Sequence, residues 1–174
     1  MKQEQEAIQT LGIREQYRDQ YWQKRDPICQ DRLLWRAQTF RHIVHLIPNQ
    51  TILELGCDQG LFTQQLLEVS RQENPITVVT FDQNNTRPDD LPPEVEFFNM
   101  SALPGFLEGR TFDFIIAMDL LDKRNSAWLL QNIYHLLKPG GQVIFYESNP
   151  WNLVLSLRRF FSGFALRVSR QRQV

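Results

Sequence analysis

Cysteine is scarce: Cys29 and Cys57 are the only two in 174 residues. Two widely spaced thiols build neither a disulfide framework nor a zinc ribbon, and this usage fits a reducing, cytoplasmic setting. Long apolar runs are also missing, since none reaches the roughly 18 residues that a membrane-spanning helix needs. The first ten residues, with two Gln-Glu pairs, lack the apolar stretch of a signal peptide. No excess of one charge exists overall, with 19 basic residues against 20 acidic ones. The distribution is uneven, however. Residues 151–174 carry Arg158, Arg159, Arg167, Arg170 and Arg172 and no acid, so this tail is +5 and residues 1–150 are −6. An acidic body argues against a nucleic-acid surface. What remains is 42% hydrophobic and long enough to bury one real core.

The chain divides by pattern. Residues 1–26 are polar, with Ile8, Leu11, Ile13, Tyr17, Tyr21 and Trp22 at loosely helical intervals, and Asp26-Pro27 punctuates them. Leu33, Leu34, Ala37, Phe40, Val44 and Ile47 recur at three- and four-residue steps, which predicts an amphipathic helix ending at Pro48-Asn49. Strand and helix then alternate. Strands are expected at 51–55, 76–81, 95–98, 112–118 and 142–146, with helices at 61–69, about 125–137 and about 151–164. Lys138-Pro-Gly-Gly141 reads as a turn. Such alternation implies an α/β fold: a doubly wound, mostly parallel sheet of five predicted strands with helices on both faces. In these sheets ligands bind beyond the carboxyl ends of the strands, so the residues just after each strand are the ones to inspect.

Two signals stand there. Leu53-Glu-Leu-Gly-Cys-Asp-Gln-Gly60 places Gly56 and Gly60 on either side of a strand-to-helix turn that a ligand can approach closely. The spacing is not the Gly-x-Gly-x-x-Gly of a nicotinamide site. Asp82 directly follows the second strand, where a carboxylate can accept both hydroxyl protons of a ribose. Together with Phe112-Asp-Phe-Ile-Ile-Ala117 and Leu136-Leu-Lys-Pro-Gly-Gly-Gln-Val-Ile-Phe145, these segments resemble the class I S-adenosylmethionine-dependent methyltransferases, over roughly residues 50–147.

The resemblance implies roles, residue by residue. The loop Gly56, Cys57, Asp58 and Gly60 would hold the methionine and ribose parts of S-adenosyl-L-methionine, with Glu54 supporting the loop. Asp82 would bind the ribose hydroxyls and Gln83 would lie against the adenine. Asn99, Met100 and Ser101 follow the third strand, and Asn99 stands where the family often has an acid. Ala117, Met118 and Asp119 would line the site near the reactive sulfonium. Three departures are visible. Asp58 occupies a position usually held by glycine or another small residue; it could bond the cofactor's ammonium or repel its carboxylate. Lys123 falls where many relatives have a histidine. The final β-hairpin of the family's seven-strand sheet has no counterpart among the predicted strands.

Methyl transfer is an in-line displacement in which the protein chiefly positions the nucleophile and excludes water. A base is needed only when the acceptor must lose a proton, and the candidate catalytic residues are Asp119, Asp122 and Glu147. Tyr17, Tyr21 and Trp22 either form an aromatic lid over the cofactor or pack against the sheet. His42 and His45 lack an accompanying acid or cysteine cluster, so no metal site is expected. The division expected is an N-terminal helical cap over 1–48, a cofactor-binding α/β core over 49–150, and an amphipathic Arg-rich helix and tail over 151–174. The expected function is methyl transfer to a small-molecule, glycan- or lipid-linked acceptor. The alternative is a non-catalytic or truncated methyltransferase-like domain of a larger protein. No nucleic-acid partner is expected. The helix of this segment is expected first to cover the sheet with its arginines on the wet face; 151–172 is also compatible with peripheral membrane contact, and a homodimer or a missing C-terminal segment are the further possibilities.

Overall fold

The computed structural model of the chain describes residues 2–22, 26–84, 86–99, 107, 109–122 and 124–147. In chain order they form α1 (Lys2–Tyr21), α2 (Pro27–Ile43), β1 (Ile52–Leu55), α3 (Leu61–Val69), β2 (Ile76–Thr80), β3 (Glu96–Asn99), β4 (Phe112–Met118), α4 (Ser126–Tyr134) and β5 (Leu137–Tyr146). One sheet holds all five strands in the order β3-β2-β1-β4-β5, and every neighbouring pair is parallel. The chain runs outward from β1 through β2 to β3, then returns to the other side of β1 for β4 and β5. The strand order therefore reverses between β1 and β4, where a crevice opens at the carboxyl end of such a sheet.

Both faces of the sheet are covered, so every residue of β1 and β2 is buried, Glu54, Thr77 and Thr80 included. Ile52, Val78, Phe114 and Ile116 pack on one face with Leu33, Phe40 and Leu66 from α2 and α3. Phe40 meets Phe114 edge-on, with ring centroids 5.7 Å apart. Leu53, Leu55, Val79, Ile115 and Ala117 pack on the other with Leu11 of α1 and with Leu129 and Ile133 of α4. Burying a Leu or Phe side chain of this kind contributes roughly 1.5–3 kcal/mol.

The elements fall close to where the patterns predict, with four differences, one being that α4 ends at Tyr134 rather than at Leu137, which opens β5. The α2 helix starts at Pro27, because Asp26 caps it by accepting the Ile28 N–H at 2.9 Å and proline suits the first helical position. It ends at Ile43 rather than reaching Ile47, which is exposed. The Lys138–Gly141 turn is drawn into β5: Phe112 pairs with Leu137 and Phe114 with Gln142, so residues 138–141 bulge opposite Asp113. Asp113 secures that irregular edge. Its carboxylate accepts from the Thr51 N–H (2.7 Å), the Thr51 hydroxyl (2.9 Å) and the Lys138 ammonium (2.7 Å), joining β1, β4 and β5 at the end away from the crevice. Among the described residues, no helix is long and apolar enough to cross a membrane. The helix expected over 151–164 lies outside the described residues.

Candidate functional site

The site is built from the loops that leave β1, β2 and β4. After β1, the N–H groups of Gly56 and Cys57 both donate to the Val79 carbonyl, at 2.7 and 3.2 Å, which folds the loop back against β2. Gly56 and Gly60 have φ of 71° and 73°, the left-handed region that glycine enters without strain. Asp58 shares that conformation with φ 52°. This accounts for its place at a glycine position: aspartate is one of the few residues that tolerate the left-handed backbone. Gly60 also opens α3, whose first turn receives no side-chain cap.

Glu54 lies beneath the loop and is 2% exposed. Its Oε2 accepts the Thr63 hydroxyl at 2.7 Å, whereas its Oε1 has no partner among the described residues. Burial pushes this carboxyl up to about 8, against the pull of Thr63 and Arg18, with Glu15 adding to the rise. Cys57 is buried too, and burial raises its thiol well above the ordinary range, so it stays protonated.

The side chains that dominate the strand ends come from α1. Ala7, Leu11, Glu15, Arg18 and Trp22 follow one another at steps of three and four residues, and all five are buried. This stripe begins apolar on the sheet and turns charged where it passes the crevice. Glu15, fully buried, accepts the Asp58 N–H (2.8 Å) and Thr80 hydroxyl (2.9 Å) on one oxygen, and the Phe81 (2.6 Å) and Asp82 (3.2 Å) N–H groups on the other. Burial raises the Glu15 carboxyl, partly offset by Arg18 and these bonds. Arg18 donates to the carbonyls of Gly56 and of Met118. Gln16 donates to the Asp82 carboxylate at 3.1 Å.

The aromatic lid takes a different form from the expected one. Tyr17 faces away from the site and is 67% exposed, so it is no part of a cover. Trp22 is buried, with the Arg36 guanidinium 4.8 Å from its ring centre. The side chain of Tyr21 lies outside the described residues. Sequence reasoning missed Glu15, Gln16, Arg18 and Arg36. The available signal was the helical spacing that continues Ala7 and Leu11 into Glu15 and Arg18 while Ile13 and Tyr17 fall on the opposite side.

The remaining candidates sit in three places. Asp82 receives Gln16 and also caps the Asn84 N–H at 3.0 Å. Gln83 is exposed beside it, and the Asn99 amide donates to the carbonyls of Asp82 (3.2 Å) and Gln83 (3.4 Å). At the end of β4, Ala117 and Met118 are buried and the Asp119 carboxylate lies 3.5 Å from Arg36. Beyond them, Asp122 accepts from Arg14 (2.9 Å) and from the Arg124 N–H (3.1 Å), and those two contacts hold its carboxyl below the ordinary range. Glu147 accepts the Leu121 N–H at 2.9 Å; desolvation at the strand end raises its carboxyl, and Asp119 adds to the rise. Met100, Ser101 and Lys123 lie outside the described residues. His42, His45 and His135 are exposed, and no His, Cys, Asp and Glu group among the described residues could hold a metal.

Little space remains at the crevice. A cavity of about 10 Å³ is bounded by Arg18, Trp22, Cys57, Asp58, Phe62 and Met118, roughly room for one water. A larger groove, about 570 Å³, runs along α2 and α3 past Arg41, His42, His45 and Glu68, and no strand-end residue lines it.

A doubly wound parallel sheet with a glycine loop after β1 and an acid after β2 defines a nucleotide-binding domain of the Rossmann-like type. Residues 21–167 match the family model described as "Methyltransferase domain", and the chain belongs to that family, with the class I S-adenosylmethionine-dependent fold. It is 32% identical over 126 residues to a polyketide synthase-nonribosomal peptide synthetase of Talaromyces wortmannii, covering 66% of this chain and 4% of that protein. It is 27% identical over 123 residues to the demethylmenaquinone methyltransferase of Lactococcus lactis, covering 67% of this chain and 48% of the relative. Two solved structures share the fold. One is the plantazolicin methyltransferase BpumL in complex with a pentazolic desmethyl analogue and SAH: TM-score 0.58, 14% identity, 83% of this chain and 60% of the other. The second is coclaurine N-methyltransferase bound to N-methylheliamine and SAH: TM-score 0.52, 20% identity, 71% and 38%. The chain thus spans less than half the length of the two curated relatives.

Proposed function

We propose that this chain binds S-adenosylmethionine at the carboxyl end of β1 and β2 and transfers its methyl group to a small-molecule, glycan-linked or lipid-linked acceptor. One observation carries the reading: the left-handed Gly56–Gly60 loop and the Asp82 carboxylate stand at the ends of two hydrogen-bonded neighbouring strands, beside the point where the strand order reverses. The residues fit the cofactor. The loop turns through left-handed backbone at Gly56 and Gly60, the first turn of α3 lacks a side-chain cap, and Glu54 keeps a buried oxygen without a partner among the described residues. In this structure Leu120 packs against Gly56 and Leu91 against Gly60.

When bound, S-adenosylmethionine supplies an electrophilic methyl group on a sulfonium. The protein's own work is to bind, orient and exclude water. Asp82 would hold the ribose hydroxyls, and the Gly56, Cys57, Asp58 and Gly60 backbone the amino-acid part. Ala117 and Met118 would wall the reacting end. Asp119, held by Arg36 between the rings of Trp22 and Tyr146, marks the acceptor side. Among the candidate bases, desolvation raises the Glu147 carboxyl, whereas Asp122 is committed to the Arg124 N–H and to Arg14. A small-molecule acceptor is in keeping with the relatives, among them a demethylmenaquinone methyltransferase and a coclaurine N-methyltransferase.

Calorimetric titration with S-adenosylhomocysteine tests the site. The wild-type protein is expected to bind, and Asp82→Ala to bind about 10- to 100-fold more weakly, the loss expected for hydrogen bonds to a charged group. Equal affinity in the folded Asp82→Ala variant would overturn the assignment.

A further inference from the structure

The inference rests on the proposed cofactor site and concerns what occupies it before the cofactor arrives. The N–H groups of Asp58, Phe81 and Asp82 and the Asp82 carboxylate are among the polar groups at the glycine loop and the β2 end. All four are engaged by α1: Glu15 takes the three N–H groups and Gln16 takes the carboxylate. Arg18 takes the carbonyls of Gly56 and Met118, one on each side of the crevice. Contact is close enough to involve the backbone. A methyl group on Gly12 would lie 2.7 Å from the Phe81 carbonyl oxygen, so α1 reaches the end of β2 only because residue 12 is glycine. The cavity that Arg18 and Trp22 border beside Cys57 and Asp58 is about 10 Å³.

We propose that α1 is a displaceable plug: Glu15, Gln16 and Arg18 hold the crevice in place of the cofactor, so seated α1 and bound S-adenosylmethionine exclude each other. This differs from a lid, which covers a bound ligand and gains contacts with it. The family match begins at residue 21, so the three plug residues lie N-terminal to it. The seat is also built to be left. A carboxylate and a guanidinium are stripped of water there, and that desolvation offsets much of what their hydrogen bonds contribute. Outward-facing Ile13 and Tyr17 are exposed, and beyond the crevice α1 is held by buried Leu11 and by the Arg14–Asp122 ion pair at 2.9 Å.

The apparent affinity for a ligand falls by the fraction of molecules whose site is open. Two variants raise that fraction by independent means. Gly12→Ala keeps α1 helical yet drives a methyl group against an immovable carbonyl. Glu15→Gln leaves one acceptor oxygen and turns an amide N–H₂ toward backbone N–H donors. Calorimetry with S-adenosylhomocysteine, on proteins shown to be folded by circular dichroism, is expected to give about tenfold or more tighter binding in both variants than in wild type. Hydrogen exchange of the wild-type full chain supplies a second readout that needs no variant: amides of residues 8–18 exchange faster when S-adenosylhomocysteine is added. Equal or weaker binding in the variants, or slower exchange of α1 on addition of ligand, overturns the plug and leaves the cofactor site standing. No binding by wild type or by either folded variant overturns both.

Discussion

Glu54 shows how one side chain ties the stability of this fold to pH. Its carboxyl is buried under the cofactor loop with one oxygen on Thr63 and the other without a partner among the described residues, and burial pushes it up to about 8. A group raised above its unfolded value stabilises the folded state fully below the unfolded range, and that contribution is lost as pH rises through the folded value. The Glu54 contribution is therefore complete near pH 4 and declines toward pH 8, at a slope on the order of 1 kcal/mol per pH unit. Glu54→Gln mimics the neutral acid and abolishes this slope. Urea unfolding at pH 5, 7 and 9 should show the variant gaining on wild type as pH rises; parallel curves would contradict it. Residues differ in how far the sequence exposes their role. The Gly56–Gly60 turn and Asp82 could be picked out because they directly follow the first two strands, although an acid at a strand end is most often only a solvated turn residue. Glu15 and Arg18 could not be, because charged residues on a polar helix ordinarily mark its wet side.

Elements were legible in proportion to how apolar they are. β1, β2 and β4 are runs that only a doubly covered strand would bury, and they stand within a residue of the expected bounds. β5 was shortened because Lys138–Gly141 has the composition of a turn, and nothing local says that Asp113 will hold that turn as a bulge inside the sheet. Burial would raise the Asp113 carboxyl, yet the Lys138 ammonium and the Thr51 donors hold it below the ordinary range. A lowered carboxyl stabilises above its unfolded range and loses that contribution as pH falls, the opposite sense to Glu54. Asp113→Ala removes three hydrogen bonds at the junction of β1, β4 and β5, and it should lower unfolding free energy by about 1–3 kcal/mol at pH 7. Chemical denaturation checks it. Because the junction is at the far end of the sheet, affinity for S-adenosylhomocysteine should change little as long as the protein stays folded.

At the scale of the molecule, the doubly wound sheet explains why the chemistry gathers where it does. Helices cover both faces, so the ends of the strands are left for binding, and reversal of the strand order between β1 and β4 parts the loops there. Around that point the chain collects a glycine loop, the Asp82 carboxylate and a set of carboxylates whose surroundings pull them apart: Glu54 and Glu147 upward, Asp122 downward. The arrangement also sets the protein's own N-terminal helix against the ligand it is fitted to receive. The most direct test of this account is a crystal structure of the full chain grown with saturating S-adenosylhomocysteine. The account predicts the nucleoside at the Gly56–Gly60 loop, its ribose on Asp82, and Glu15 released from the N–H groups of Asp58 and Phe81. A nucleoside bound elsewhere, with Glu15 still on those donors, would contradict it.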